Sequence, residues 1–170
     1  MNIKNFEFKA KVENLAEYEN KFLKLNPDFR GIDHQIDTYF NVSKGRLKLR
    51  EGNIENSLIN YDREDSFDSK LSDIILYHHQ PSKALKNILI QQLGVKTVVD
   101  KQRKIYFIDN VKFHFDQVQG LGTFIEVEAI DHANSFSVEQ LKEQCDKYFE
   151  FFELKPSQLI DKSYSDLINN

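Results

Sequence analysis

Charged and apolar residues alternate with a period of two along much of this chain, and the sign of the charge changes from stretch to stretch. In Phe6-Glu7-Phe8-Lys9-Ala10-Lys11-Val12 the odd positions are charged and the even ones apolar. Arg46-Leu47-Lys48-Leu49-Arg50 sets three cations on one face against two leucines on the other. Phe113-His114-Phe115-Asp116 and Ile125-Glu126-Val127-Glu128 repeat the pattern with an acidic polar face. Successive strand residues point to opposite sides, so each run has one face suited to burial and one that needs water or a charged ligand. Half-buried strands usually carry indifferent polar residues on the wet face. Dense cations on some strands and paired carboxylates on others predict a charged cavity for a polyanion and its metal.

The same pattern sets the order of elements. A strand over about 2–12 is followed by a helix from Asn14, with Glu17 three residues on and Leu15, Phe22 and Leu25 near one face; Pro27 ends it. Strands are predicted near 33–42, 45–52, 56–64 and 72–79, with Ser43-Lys44-Gly45 and Gly52-Asn53 as hairpin connections. Ser82 opens a helix carrying Leu85, Ile88, Leu89 and Leu93, which Gly94 ends. Strands at about 95–107, 111–118 and 122–131 come next, then a helix from Ser137 to about Leu154 and a shorter helical tail. Eight strands in meanders with a few helices predict an α+β fold: an eight-stranded antiparallel β-barrel or tunnel. Barrels of this size normally fill their interiors with side chains. Here the phenylalanines Phe6, Phe8, Phe113 and Phe115 are expected outside, under the helices, and the charged faces inside a wet lumen.

Composition narrows the partners. A chain of 170 residues with 40% hydrophobic content suits one domain, 1–170. A net charge of −4 argues against nucleic acid or a membrane surface as partner. The strand faces differ from this average, with Lys9, Lys11, Arg46, Lys48, Arg50, Arg63, Lys101 and Arg103 set against Glu7, Asp116, Glu126 and Glu128. A basic concavity in an acidic molecule favours a small anion. The single cysteine, Cys145, excludes an internal disulfide and reads as a buried thiol. No leader-like or membrane-spanning run is apparent, so a cytoplasmic location is expected.

The candidate chemistry follows from residue type. Lys48 and Arg50 share a face, as do Lys101 and Arg103, and Arg63 and Lys9 complete a ring around a linear anion. Arginine forks bind phosphate by two bonds, and lysines act as point charges. Arg46 and Lys11, at strand ends, are expected nearer the surface. Glu7, Asp116, Glu126 and Glu128 are the metal candidates, since oxygen ligands suit Mg²⁺ or Mn²⁺. His114 shares their face and is expected to orient a neighbour by hydrogen bonding. His78 and His79 point to opposite faces and cannot chelate together. Tyr39, Tyr61 and Tyr106 are expected to pack or line the rim.

Taken in order, these stretches resemble the CYTH superfamily of triphosphate tunnel enzymes. The likeness is carried by Asn5-x-Glu7-x-Lys9, by Asp37-Thr38-Tyr39-Phe40 through Gly45-Arg46-Leu47-Lys48-Leu49-Arg50-Glu51, and by Tyr61-Asp62-Arg63. It continues in Lys101-Gln102-Arg103-Lys104-Ile105-Tyr106-Phe107, His114, Asp116, Gly120-Leu121-Gly122-x-Phe124-x-Glu126-x-Glu128 and Lys162-Ser163-Tyr164-Ser165-Asp166-Leu167-Ile168. The Lys-Gln-Arg and Gly-Leu-Gly words and the Ser-Tyr tail are most similar to the class IV adenylate cyclase branch. One position departs: the first Glu of the family's Glu-x-Glu-x-Lys pattern is Asn5 here, which offers a metal a neutral ligand in place of an anionic one.

The resemblance implies a metal-dependent enzyme with Mg²⁺ or Mn²⁺ as cofactor and ATP or another triphosphate as substrate. It implies catalytic roles for Glu7, Lys9 and Glu126, and a homodimer is compatible with it. In a cyclase, the ribose 3′-hydroxyl attacks the α-phosphate and pyrophosphate leaves. In an inorganic or thiamine triphosphatase, water attacks the terminal phosphorus on the same ring of charge. A non-catalytic nucleotide or polyphosphate binder is the reading that Asn5 favours.

Overall fold

The computed structural model describes residues 2–62 and 70–169. The elements run β1 (Asn2–Val12), α1 (Leu15–Leu23), β2 (Asp28–Phe40), β3 (Arg46–Glu51), β4 (Asn56–Asp62), β5 (Lys70–His78), α2 (Lys83–Leu93), β6 (Val95–Ile108), β7 (Val111–Val118), β8 (Gly122–Asp131), α3 (Val138–Phe151), a 3₁₀ turn (Pro156–Gln158) and α4 (Tyr164–Ile168). The strands close into an antiparallel barrel in the order β1-β5-β4-β3-β2-β6-β7-β8. Closure rests on β1, which pairs with β5 on one edge and β8 on the other. Among the described residues every strand has a partner on both sides, which removes the usual route to edge-to-edge association.

The even residues of β1 and the odd residues of β7 turn outward into a core packed between the barrel and helices α1 and α3. Phe6, Phe8, Phe113, Phe115, Ile125 and Val127 are buried there against Phe22, Leu141, Cys145, Tyr148 and Phe152. Phe22 is the centre of this cluster, with its ring centroid 4.4 Å from Phe113 and 5.7 Å from Phe152. The phenylalanines therefore lie outside the barrel, as the alternation predicts. Cys145 lies in this layer with its Sγ donating to the Phe6 carbonyl at 3.2 Å, and burial pushes the thiol up to about 12. Among the described residues no helix is long and apolar enough to cross a membrane.

Several boundaries and caps differ from the sequence expectation. β2 begins at Asp28, directly after Pro27, five residues earlier than predicted. Asp28, Arg30 and Gly31 break the alternation; Gly31 takes φ 126° at a register shift in the β2–β6 ladder. Phe29 holds this segment on the outer wall by stacking on Tyr106 at 4.8 Å. Asn14 and Ser82 precede their helices without side-chain caps, whereas Ser137 forms a complete capping box with Gln140. No residue of α2 is buried, so its leucines lie only partly covered on the barrel wall. Arg63, predicted for the cation ring, lies outside the described residues.

Candidate active site in the barrel lumen

The inward faces enclose a cavity of about 640 Å³ that carries both signs of charge. Its cationic side is organised around one carboxylate. Asp37 on β2 is the backbone partner of Arg50 on β3, and this register sets their side chains next to each other. Arg50 donates Nε and Nη2 to the two Asp37 oxygens at 2.9 Å each. Lys101 donates to Asp37 at 2.8 Å, and Lys48 Nζ lies 3.3 Å away. Burial alone would raise the Asp37 pKa, but Arg50, Lys101 and Lys48 together hold it well below the usual carboxylate range. Three cations share this one anion, and the third nitrogen of Arg50 meets a second carboxylate, Glu55, at 3.1 Å.

Lys101 is held most deeply of the three. It is 1% exposed, and burial, with Arg50, Arg103 and Lys48 adding repulsion, pushes its ammonium down to about 7 against the attraction of Asp37. A group in that state gains most from an arriving anion.

Arg103 is held by a second buried carboxylate. Its fork meets Asp116 at 2.7 and 2.6 Å, and the Tyr164 hydroxyl donates to Asp116 at 2.7 Å. Burial and the negative charge of Asp116 and Glu126 push the Tyr164 phenol well up, which keeps it a donor. Arg103 Nη2 also reaches Glu126 at 3.6 Å. Asp116 is wholly buried with both oxygens engaged, so the structure gives it the work of aiming Arg103 and sets it apart from the other acidic candidates.

Those candidates form an acidic pole on β1, β7 and β8. Glu7 is the β1 partner of Glu128 on β8, and Lys9 the partner of Glu126, so the Asn5-x-Glu7-x-Lys9 word lies along the acidic strand. Lys9 Nζ is 3.2 Å from Glu126 and 4.1 Å from the centre of the Tyr164 ring. His114, Glu126 and Glu128 present ligand atoms that all lie within 4.8 Å of one another. Burial would raise Glu126, but Lys9 and Arg103 keep it well below the usual range. Burial and the adjacent Glu126 charge push Glu128 up to about 7. Burial, with Arg103 next, pushes His114 down to about 3, so its ring is neutral.

This donor set fits a hard divalent cation. His114 Nδ1 lies 3.3 Å from Glu126, while its buried Nε2 has no hydrogen-bond partner; the same holds for the buried Oδ1 of Asn5. Buried polar atoms without a protein partner are costly in a folded protein and are satisfied by ordered water or by a bound ion. Two carboxylates, a neutral imidazole and an amide oxygen in one lumen can supply such ligands.

The lumen thus brings together Lys9, Lys48, Arg50, Lys101 and Arg103 with Glu7, Glu126 and Glu128. Arg46 pairs at the rim with Asp166 of α4 at 2.8 Å, and Lys11 is exposed. Four participants have no counterpart among the sequence candidates: Asp37, Glu55, Lys112 and Tyr164. Lys112 shares the parity of His114 and Asp116, and Asp37 that of Tyr39, so alternation carried both signals. Glu55 lies in a turn, where no period applies. The lumen is also less uniformly charged than expected, since β4 and β5 contribute Ile59, Ile74 and Leu76 to its wall.

Comparison with known proteins agrees with this architecture. The PH1012 protein from Pyrococcus horikoshii OT3 superposes with a TM-score of 0.84 at 24% identity, over 96% of this chain and 98% of that one. A candidate adenylate cyclase from Vibrio parahaemolyticus gives 0.80 at 16% identity, covering 98% of each chain. A candidate adenylyl cyclase from Hippeastrum, described as having a dominant triphosphatase activity, gives 0.63 at 12% identity over 99% of this chain and 94% of its own. No curated protein sequence matches. The family model of the CYTH domain matches residues 4–161. With a closed barrel, an inward-facing ring of charge and a family match over nearly its full length, the chain belongs to the CYTH family.

Proposed function

We propose that this protein is a metal-dependent enzyme that binds a triphosphate along its lumen, with class IV adenylate cyclase-like chemistry as the leading activity. One observation carries the reading: cations buttressed by buried Asp37 and Asp116 line the same cavity as the pole of Glu7, His114, Glu126 and Glu128. Phosphoryl transfer is mainly a matter of holding a polyanion and stabilising the oxygens whose charge changes, and these residues have the means for both.

Lys48, Arg50, Lys101 and Arg103 bind the triphosphate chain. Asp37 and Asp116 fix the guanidinium planes in advance, so little reorganisation accompanies binding. Mg²⁺ or Mn²⁺, held by Glu126, Glu128 and His114 with Glu7 beside them, would supply charge to the reacting phosphate and lower the pKa of the attacking hydroxyl. In the cyclase reaction the ribose 3′-oxygen bonds to the α-phosphorus and the bond from that phosphorus to the α–β bridging oxygen breaks. The hydroxyl proton passes to a carboxylate of the acidic pole. Pyrophosphate leaves on the cationic side. Lys9, salt-bridged to Glu126, neutralises charge at the junction of the two sides.

The apolar wall of Ile59, Ile74 and Leu76 supports an organic triphosphate, because an inorganic one has nothing to place against it. Triphosphatase activity is the second reading, favoured by the activity described for the Hippeastrum protein. There water attacks the terminal phosphorus, the bond from that phosphorus to the β–γ bridging oxygen breaks, the diphosphate leaves with that oxygen, and the attacked phosphorus becomes orthophosphate. Incubation with Mg²⁺ or Mn²⁺ and ATP, thiamine triphosphate or tripolyphosphate, followed by chromatography, separates the readings. Cyclic AMP with pyrophosphate supports the first, orthophosphate release the second, and binding without turnover a non-catalytic module.

A further inference from the structure

One side chain in the lumen already stands where an anion would. Glu55, in the turn between β3 and β4, accepts from Arg50 Nη1 at 3.1 Å and forms an ion pair with Lys112 of β7. In the ring of strands, β2 and β6 separate this turn from β7 on one side, and β5, β1 and β8 on the other. The Glu55–Lys112 pair therefore spans the lumen, and all three side chains line the cavity.

The turn is built to hold Glu55 there. Buried Asp33 accepts the backbone N–H groups of Ile54 and Glu55 at 2.9 and 3.0 Å. Gln35, also buried, donates to Asp33 at 2.7 Å and to the Glu55 carboxylate at 3.1 Å. At Gly52 a Cβ would lie 2.6 Å from an Asp33 oxygen and 2.7 Å from the Glu55 carbonyl, so the turn closes this tightly only with glycine. Burial opposes ionisation of Glu55, but Lys112 and Arg50 outweigh it and keep the group an anion.

We propose that Glu55 is an internal competitor: its carboxylate occupies the ligand's place on Arg50 and Lys112 in the free protein and yields it when a polyanion binds. The proposal rests on the triphosphate reading of the lumen and adds regulation of affinity to it. A phosphate that takes Lys112 must first break the Glu55–Lys112 pair, so each gains only the difference between two similar interactions. The consequence is a site that does not hold anions, product included, more tightly than turnover allows.

Calorimetric titration of tripolyphosphate into the wild type, Glu55→Gln, Lys112→Met and the double variant tests this. Glu55→Gln keeps the hydrogen-bonding shape without the charge and should bind about tenfold more tightly, the scale of one charge-assisted contact. Lys112→Met should change wild-type affinity by less than about threefold yet weaken the Glu55→Gln protein about tenfold, because in the wild type a ligand gains Lys112 only by breaking its pair with Glu55, whereas in Glu55→Gln the whole contact is gained. A purely structural Glu55 would give no such coupling. Equal or weaker binding by Glu55→Gln, or additive effects of the two substitutions, overturns the proposal. Binding by Glu55→Gln but not by the wild type upholds the competitor and overturns the triphosphate reading for the native chain. Binding by neither overturns both. If Glu55→Gln does not fold, Glu55→Asp, which keeps the charge but withdraws it by one methylene, should tighten binding about threefold; no tightening rejects the proposal.

Discussion

Asp37 receives both arms of the Arg50 guanidinium at 2.9 Å while also holding Lys101 at 2.8 Å, so one buried carboxylate fixes two cations on two different strands. Removing one member of such a buried group leaves the others uncompensated, at a cost of about 3–5 kcal/mol. Asp37→Asn should lower the melting temperature by roughly 6–20 °C, given about 2–4 °C per kcal/mol in a chain of this size. Tripolyphosphate should restore more of that loss than it adds to the wild type, since it supplies the missing negative charge. Thermal melts with and without ligand check this.

The outer core and the lumen are separate layers of the molecule. Phe113 is fully buried among Phe22, Tyr148 and the other residues of the helix-covered side, and does not line the cavity. Phe113→Ala should destabilise the fold by about 3–5 kcal/mol and leave ligand affinity of the folded fraction unchanged. Denaturant melts paired with calorimetry at low temperature read both quantities.

Two lumen groups titrate near neutrality with opposite consequences. Glu128, raised to about 7, stays protonated in the folded protein where the unfolded chain has already ionised. Its contribution to stability therefore falls between about pH 4.5 and 7, and metal binding should strengthen over the upper part of that window and release a proton. Lys101, lowered to about 7, loses its charge above that pH in the folded state while the unfolded chain keeps it to about 10.5. Stability conferred by this group rises with pH from 7 upward, and metal-free triphosphate binding weakens and takes up a proton. Calorimetry in buffers of different ionisation enthalpy counts the protons, and Glu128→Gln should abolish the release on metal binding.

Asn5 stands in the lumen beside Glu7, donating to it at 3.5 Å with its own carbonyl oxygen buried and unpartnered. Asn5→Glu adds a hard anionic oxygen at the acidic pole, so Mg²⁺ and Mn²⁺ should bind the ligand-free protein about tenfold more tightly. Metal titration of both proteins measures this. Equal affinities would place position 5 outside the metal's reach.

Alternation made most of this molecule legible. Period-two runs such as Phe6 to Val12 and Phe113 to Asp116 assign their inward and outward faces without reference to any neighbour, and the structure keeps those faces. Strand pairing was not readable in the same way. That Asp116 faces Arg103 across β6 and β7, and so aims an arginine, depends on register, which a single strand does not encode. The same limit hid the bond from Tyr164 to Asp116, which joins residues 48 positions apart in the chain. Glu55 was invisible for another reason: its place follows from Asp33 capturing two backbone amides of a turn, a tertiary arrangement with no local signature. The start of β2 was missed because Gly31 and the charged residues around it interrupt the alternation.

The proposed function requires a triphosphate to lie along the lumen, on the Asp37-centred cations and beside the acidic pole. Anomalous diffraction from crystals grown with Mn²⁺ and a non-hydrolysable ATP analogue tests it most directly. The expected result is a manganese peak coordinated by residues of the set His114, Glu126 and Glu128, with phosphate oxygens within hydrogen-bonding distance of Lys48, Arg50, Lys101 and Arg103. Manganese or phosphate found only on the outer wall, with the lumen holding water alone, would contradict it.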